Sequence, residues 1–299
     1  MRPPTVPAAD AYQMRDDDLV LGVAVNGVAR AYPWWILDDH HIANDVVGGR
    51  PVTIVLCEVC SSGLAFDPVV NGRLLTFTLR HVYNGTLTMD DHQTDSIWSP
   101  VLGTALAGPL KGAALSLMPL WQMEWAAWRE LHPHSDVLVG ELGSRTGHGS
   151  AETIGSPRVG GQMRASILHW DERLPHNTLV LLVRGGKASR AYPLSAFEGQ
   201  GVMNDEVGGV PIVILHHAAE GSYGVVAYSR APGGRVLTFR SGPRGPMDEE
   251  TGSVWATDGR AAEGSLAGTQ LTFVPSHVSE WYIVGTSYPG IEIHGLAWA

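Results

Sequence analysis

The chain has 299 residues, of which 44% are hydrophobic and 17% charged, a composition typical of a folded protein of about two domains. Its 36 glycines and 19 prolines require frequent turns and short elements, which favours a β-rich architecture over a bundle of long helices. The net charge is −10 and no window is strongly basic, so we expect no nucleic-acid partner and no membrane surface. With no apolar run long enough to span a bilayer and no signal-peptide pattern, the expected location is the cytoplasm.

The first predicted elements are a hairpin, a short helix and a buried strand. Residues 21–25 and 28–32 have the composition of strands, and Asn26-Gly27 between them is typical of a type I′ turn. Pro33 suits the first turn of a helix that continues to His41. A strand over residues 51–56 then leads directly into Cys57.

A second hairpin and three strand-like pieces precede the strongest helical pattern. The hairpin covers residues 64–79 and turns at Asn71-Gly72. Further on, Trp121, Trp125 and Trp128 are spaced at i, i+4 and i+7, so that they share one face of a helix. At this spacing we interpret them as core residues rather than a ligand-stacking face.

The second half of the chain repeats motifs of the first. Arg30-Ala31-Tyr32-Pro33 recurs as Arg190-Ala191-Tyr192-Pro193, and Asn44-Asp45 recurs as Asn204-Asp205. A repeat this long indicates two homologous halves rather than a solenoid. We therefore predict a β-rich α+β fold of two homologous antiparallel-sheet repeats in tandem, each ending in a helix packed on its sheet. The predicted parts are a first repeat with a Cys/His site (1–134), a connecting segment (135–178) and a second, degenerate repeat (179–299).

The repeat separates residues that the fold requires from residues that need another explanation. Asp45 has a counterpart in the other half, so we interpret it as a structural turn or cap residue. In contrast, Cys57 and Cys60 align with His217 and Glu220, and His40 aligns with Gln200. His41, His81, Tyr83 and His92 are likewise confined to the first half. This one-sided distribution of soft and titratable side chains is the main functional signal of the sequence.

The Cys57-x-x-Cys60 motif has three possible interpretations. Two thiolates at this spacing can hold zinc or copper, with further ligands drawn from His40, His41, His81 and His92. A redox-active dithiol or disulfide is the second possibility, although no helix is predicted to begin at the motif, as one does in thioredoxin-like sites. The third is a pair of packed thiols without a chemical role. The pair His216-His217 could form a second site or be solvated at a strand end.

Several of these motifs together resemble a known bacterial family, domain-of-unknown-function family 3179. The resemblance rests on residues 26–33 (NGVARAYP), 47–52 (VGGRPV), Cys57-x-x-Cys60, Tyr83-Asn84 and Gln93-Thr94 with Trp98, and it continues in residues 190–194 and 249–255. It implies a histidine at position 40 and cysteines at 57 and 60. Glu58 departs from the family pattern, which usually has proline there, and His41 and His92 replace an acidic residue and an arginine. Many relatives also carry an export signal that this chain lacks.

The leading functional hypothesis is a metal-dependent enzyme, a copper-dependent oxidoreductase acting on a small molecule. Copper is the first choice of cofactor and zinc the second, and Tyr83 and Asp91 are candidate proton donors or orienting groups. Alternatives are a zinc-dependent lyase or hydrolase, and a non-catalytic module that binds a metal or another ligand. The sequence predicts neither the substrate nor the oligomeric state.

Overall fold

The computed structural model describes residues 3–140, 159–217 and 223–296. It divides into two compact units. Unit 1 contains residues 1–179 together with Ser279–Pro289, and unit 2 contains Val180–Val278 and residues 290–299. Within the predicted connecting segment (135–178), residues 141–158 lie outside the described part of the chain.

The secondary structure consists mainly of short strands. In the first half these are β1 (Thr5–Pro7), β2 (Leu19–Val25), β3 (Val28–Pro33), β4 (Ile42–Val47), β5 (Arg50–Cys57), β6 (Ser62–Asp67), β7 (Val69–Val70), β8 (Arg73–Leu74), β9 (Phe77–Tyr83), β10 (Thr86–Asp91), β11 (Ile97–Ser99), β12 (Thr104–Ala107), β13 (Ser116–Met118), β14 (Trp121–Glu124) and β15 (Asp136–Leu138). They are followed by β16 (Leu179–Gly185), β17 (Ala188–Pro193), β18 (Val202–Val207), β19 (Val210–His216), β20 (Val225–Ser229), β21 (Phe239–Gly242), β22 (Gly245–Asp248), β23 (Val254–Trp255), β24 (Ala261–Glu263), β25 (Ser276–Glu280) and β26 (Glu292–Ile293). The α-helices are α1 (Trp34–His40), α2 (Trp125–Leu131), α3 (Gly161–Ala165) and α4 (Trp281–Ser287).

Three larger sheets form the framework of unit 1. The first has five strands in the order β1-β15-β3-β2-β14, and its β15–β3 pair is parallel. The other two have four strands each, in the orders β13-β6-β5-β4 and β12-β11-β10-β9. The predicted turn between β2 and β3 is confirmed, since Asn26 and Gly27 have φ values of 50° and 78°.

The sheets that contain the strands of unit 2 have the orders β25-β16-β17-β26, β18-β19-β20 and β21-β22-β23-β24. The β17–β26 pair is parallel, whereas β18, β19 and β20 pair antiparallel. The prediction of a β-rich fold with several antiparallel sheets and few helices is therefore confirmed. Within the described residues, no helix is long and apolar enough to cross a membrane.

The three tryptophans that the sequence placed on one helix face belong to the core, as predicted, but only two of them are helical. Trp121, Trp125 and Trp128 are 4%, 1% and 0% exposed. Helix α2 begins at Trp125, and Trp121 lies in β14, which pairs with β2. The prediction of a helix from Trp121 was wrong because the edge of the five-stranded sheet supplies backbone partners to residues 121–124, and this pairing overrides the helical spacing.

Asp45 is a structural residue, but it lies within β4 and is not the turn or cap residue that the repeat predicted. Its carboxylate accepts hydrogen bonds from the Arg30 guanidinium at 2.7 Å, the Tyr32 hydroxyl at 2.8 Å and the Val46 amide at 2.6 Å. In unit 2, Asp205 accepts corresponding hydrogen bonds from Arg190, Tyr192 and the Glu206 amide. Each network ties a hairpin to the strand that follows it.

Candidate redox centre

Cys57 and Cys60 form a disulfide inside unit 1. Cys57 is the last residue of β5, a tight turn follows, and β6 begins at Ser62, which pairs with Cys57. The turn closes through Ser61, a non-glycine residue with φ of 49°. This arrangement corrects the expectation that the two cysteines are thiolate ligands of a metal ion, because the sulfur atoms are bonded to each other.

Polar groups surround the disulfide, although it is buried. The Tyr282 hydroxyl lies 3.4 Å from Cys60 Sγ and 3.2 Å from the carbonyl oxygen of Gly85. Thr86 Oγ1 lies 3.5 Å from Cys60 Sγ and 3.8 Å from Cys57 Sγ. The two hydroxyl groups can therefore donate hydrogen bonds to sulfur. Cys60 is 0% exposed and Cys57 is 4% exposed, so Cys57 is the slightly more exposed of the two residues.

The turn is held from both sides by buried polar residues. The Cys60 carbonyl accepts a hydrogen bond from the Glu280 amide at 2.9 Å, and the Ser61 hydroxyl donates to the Glu280 carboxylate at 2.8 Å. On the other side, the Gln122 side chain accepts from the Gly63 amide and donates to the Ser61 carbonyl. These bonds fix the turn that carries the disulfide.

Burial, together with the charges nearest to the turn, keeps the Tyr282 phenol protonated. Burial raises its pKa well above the usual value of 10, and the carboxylates of Glu280 and Glu58 raise it further. Glu58 lies in the turn itself and pairs with His41, with 3.3 Å between the carboxylate and Nδ1. The interaction of the His41 imidazole with the Glu58 carboxylate, which can only accept a hydrogen bond, is the main cause that raises the pKa of His41.

The other predicted metal ligands do not join the cysteines. His40 and His92 line a cavity, His81 lies exposed on β9, and His41 pairs with Glu58 as described. His216 contacts the Gln200 carbonyl at 3.3 Å through Nδ1. Across the described ranges, no group of three or more His, Cys, Asp or Glu side chains could hold a metal ion. Glu220, which aligns with Cys60, lies outside those ranges.

The two predicted catalytic residues occupy different environments. Tyr83 is 44% exposed at the end of β9. Asp91 is fully buried, and its carboxylate accepts hydrogen bonds from the Thr94 amide at 2.6 Å, the Thr94 hydroxyl at 2.8 Å and the Trp98 indole at 2.9 Å. Asp248 makes the same set of contacts with Thr251 and Trp255 in unit 2.

Sequence reasoning missed the groups that touch the sulfur atoms. Tyr282 is 222 residues from Cys60, and only the fold brings them together. One signal was present: the helix that begins at Trp281 corresponds to the one that begins at Trp125, so that Tyr282 corresponds to Ala126. The cysteines were selected because they occur in only one half of the repeat, and the same criterion would have selected this tyrosine. Thr86, next to the family-like Tyr83-Asn84, carried no such signal.

The fold and the site define a β-rich protein with a buried disulfide in a polar turn. The chain belongs to the family described as "Protein of unknown function (DUF3179)", whose family model matches residues 1–290. The resemblance identified from the sequence motifs is thereby confirmed. Comparison with curated proteins found no match, and comparison with solved structures found none either.

Proposed function

We propose that the protein is a thiol–disulfide oxidoreductase whose reactive group is the Cys57–Cys60 pair. The observation that carries this proposal is the disulfide with two hydroxyl groups, of Tyr282 and Thr86, in contact with its sulfur atoms. Hydrogen-bond donors at sulfur favour a thiolate, which is the form that disulfide exchange requires. A cytoplasmic location fits this role, because disulfides there are usually transient and catalytic or redox-sensing.

The reaction transfers two electrons from an external thiol pair to the protein. A thiolate of the reductant attacks Sγ of Cys57, the more exposed residue of the pair, and forms a mixed disulfide. The Cys57–Cys60 bond breaks, and its electron pair stays on Cys60 Sγ. The second thiolate of the reductant then attacks the reductant's first sulfur, which is bonded to Cys57 in the mixed disulfide, and Cys57 is released. The reductant leaves as a disulfide, Cys57 takes up a proton, and Cys60 remains a thiolate.

Tyr282 stabilises the leaving sulfur in this step. Its phenol stays protonated and lies 3.4 Å from Cys60 Sγ, so it can turn its hydrogen from the Gly85 carbonyl to a thiolate. A hydrogen bond to a charged group contributes about 1.5 kcal/mol or more, and about 1.4 kcal/mol corresponds to roughly 30 mV for a two-electron couple. Tyr282→Phe should therefore lower the reduction potential by about 30 mV or more.

The test is equilibration in dithiothreitol redox buffers, followed by thiol alkylation and intact-mass measurement. Tyr288→Phe is the matched control, since the Tyr288 hydroxyl donates to the Val101 carbonyl and not to sulfur. The proposal requires reversible reduction of the folded protein and a shift in Tyr282→Phe alone. A disulfide that is reduced only after the protein unfolds would show that the bond is structural.

A second candidate is the metal-dependent oxidoreductase predicted from the sequence. The favouring observation is that the Cys57–Cys60 turn holds both sulfur atoms together, so that reduction would present two thiolates to one ion. Thiolates select copper(I) or zinc, and zinc with a bound water would instead favour hydrolytic chemistry. Elemental analysis of protein that has been reduced and loaded anaerobically with copper or zinc tests whether the reduced pair binds a metal ion. About one equivalent of copper or zinc, absent from Cys57→Ala/Cys60→Ala, supports the metal; equal contents reject it.

We further infer that the chain is a tandem duplication. The inference is supported by networks that recur with corresponding residues, namely those of Asp45 and Asp205 and those of Asp91 and Asp248. The parallel pairs β3–β15 and β17–β26 also correspond. Because the disulfide has no counterpart in the aligned positions of the second half, duplication of the fold leaves the redox centre in one copy.

A further inference from the structure

Unit 1 contains a cavity of about 570 Å³ that is separate from the disulfide. This volume is within the range of small-molecule sites, about 300–1,000 Å³. Its wall is largely apolar and includes Ile36, Leu37, Leu138 and Val139. The ionisable side chains that line it are those of His40 and His92. An apolar wall with a few polar groups is the usual composition of a ligand pocket.

A chain of hydrogen bonds orients His92 at the cavity. Its Nδ1 lies 3.1 Å from the Thr76 hydroxyl, and its backbone amide donates to the Thr76 carbonyl. The Gln93 side chain fixes Thr76 in turn, donating to the hydroxyl at 3.0 Å and accepting from the amide at 2.8 Å. Only Nε2 of the imidazole is left for another partner. A ring oriented through one nitrogen can present the other to a ligand.

The other polar groups at the cavity differ in their availability. Asn44 is engaged, because its amide donates to the Phe77 carbonyl and accepts from the Phe77 amide. His40 is exposed at the end of α1 and has no hydrogen-bond partner within the described part of the chain. The two imidazoles are thus the groups that can bind the polar end of a ligand.

The fold does not require either histidine. His40 aligns with Gln200. His92 corresponds to Glu249, whose amide donates to the Thr238 carbonyl as that of His92 does to Thr76. The turn therefore forms with a different side chain, and the imidazole at the cavity needs an explanation other than folding.

We propose that this cavity binds a small carboxylic acid with an apolar body, its carboxylate held by His40 and His92. The apolar wall takes the body, and the imidazoles offer N–H donors to the carboxylate oxygens. Within the described residues, no Asp, Glu, Lys or Arg side chain lines the cavity, so no described side chain of the wall repels an anion or attracts a cation. The neighbouring acidic groups are Asp38 and Asp39 on α1 and Asp91 and Asp95 around His92, none of which lines it.

The test compares three molecules of one shape: 3-phenylpropionate, 3-phenylpropanamide and 3-phenylpropylamine. Calorimetric titration should show that the acid binds at least tenfold more tightly than the amide or the amine. His92→Gln should weaken binding of the acid about tenfold, whereas His134→Gln, which changes an exposed histidine outside the cavity, should have no effect.

Three results would overturn the proposal. The amide or the amine could bind as tightly as the acid, the acid could bind equally well to Val139→Trp, which fills the cavity, or none of the three could bind at millimolar concentration. Thermal unfolding of each variant checks that it is folded. These outcomes do not depend on the redox state of Cys57–Cys60, so the cavity and the redox proposal can fail separately.

Discussion

Replacement of Asp91 by Asn tests whether this buried carboxylate is structural. One oxygen accepts hydrogen bonds from the Thr94 amide at 2.6 Å and the Gln93 amide at 3.1 Å, and the other accepts from the Trp98 indole at 2.9 Å. An amide side chain that keeps its oxygen toward the two backbone donors must place its NH₂ group against the indole N–H. The substitution therefore turns one buried hydrogen bond into a contact between two donors.

The expected loss follows from this exchange. A hydrogen bond to a charged group contributes about 1.5–3 kcal/mol, and a buried donor without an acceptor costs about 1–3 kcal/mol. We expect Asp91→Asn to lower the free energy of unfolding of its surroundings by about 3–5 kcal/mol. Because Asp248 makes the same contacts with Thr251 and Trp255, Asp248→Asn should produce a loss of similar size in unit 2.

Hydrogen exchange measured by mass spectrometry can read the two sites separately. Protection should fall in β10 and β11 for Asp91→Asn and in β22 and β23 for Asp248→Asn. Adding Trp98→Phe to Asp91→Asn removes the conflicting indole donor and should restore part of the loss. The reasoning is refuted if Asp91→Asn costs less than about 1 kcal/mol, or if it abolishes redox activity without reducing protection.

Two further substitutions probe other parts of the fold. Burial, followed by the charge of Arg184, lowers the pKa of His277 from 6.5 to about 3, so the unfolded chain takes up a proton that the folded chain does not. The stability linked to His277 is present above pH 6.5 and is lost as the pH falls toward 3, by up to about 5 kcal/mol. In urea unfolding, the free energy of unfolding of His277→Leu should therefore depend less on pH than that of the wild type. Parallel plots of this free energy against pH would contradict the expectation. At Gly48, φ is 54° and a Cβ would lie 2.0 Å from the Val25 carbonyl oxygen, whereas a Cβ at Gly49 would meet open space. Gly48→Ala should therefore reduce the melting temperature far more than Gly49→Ala. Equal reductions would refute the steric argument.

Local signals explain why much of the fold could be predicted. The Asn26-Gly27 turn, the strand that ends at Cys57 and the short helix from Trp34 each depend on residues close in sequence. The repeat allowed the two halves to be compared, and this comparison distinguished Asp45, which occurs in both halves, from the cysteines, which occur in one. Trp121 was assigned to the wrong element because its strand partner, Gly22, lies 99 positions earlier, and no local pattern records that pairing.

The chemistry of the site depends on contacts that local patterns do not contain. Spacing alone left Cys57 and Cys60 open to metal binding, disulfide formation or simple packing. Which of these roles the cysteines have depends on the geometry of the turn and on Tyr282, which contacts Cys60 from the other end of the chain. His40 and His92 were predicted as metal ligands with the cysteines, but the structure places them at a cavity instead of beside the cysteines.

The most direct test of the redox proposal is the reduction of Cys57–Cys60 in the folded protein. Alkylation and intact-mass measurement across a series of dithiothreitol redox buffers would give the fraction reduced, with circular dichroism recording whether the fold is kept. We predict a reversible two-electron transition in folded protein and a lower potential in Tyr282→Phe. A disulfide that resists every buffer until the protein unfolds would contradict the proposal.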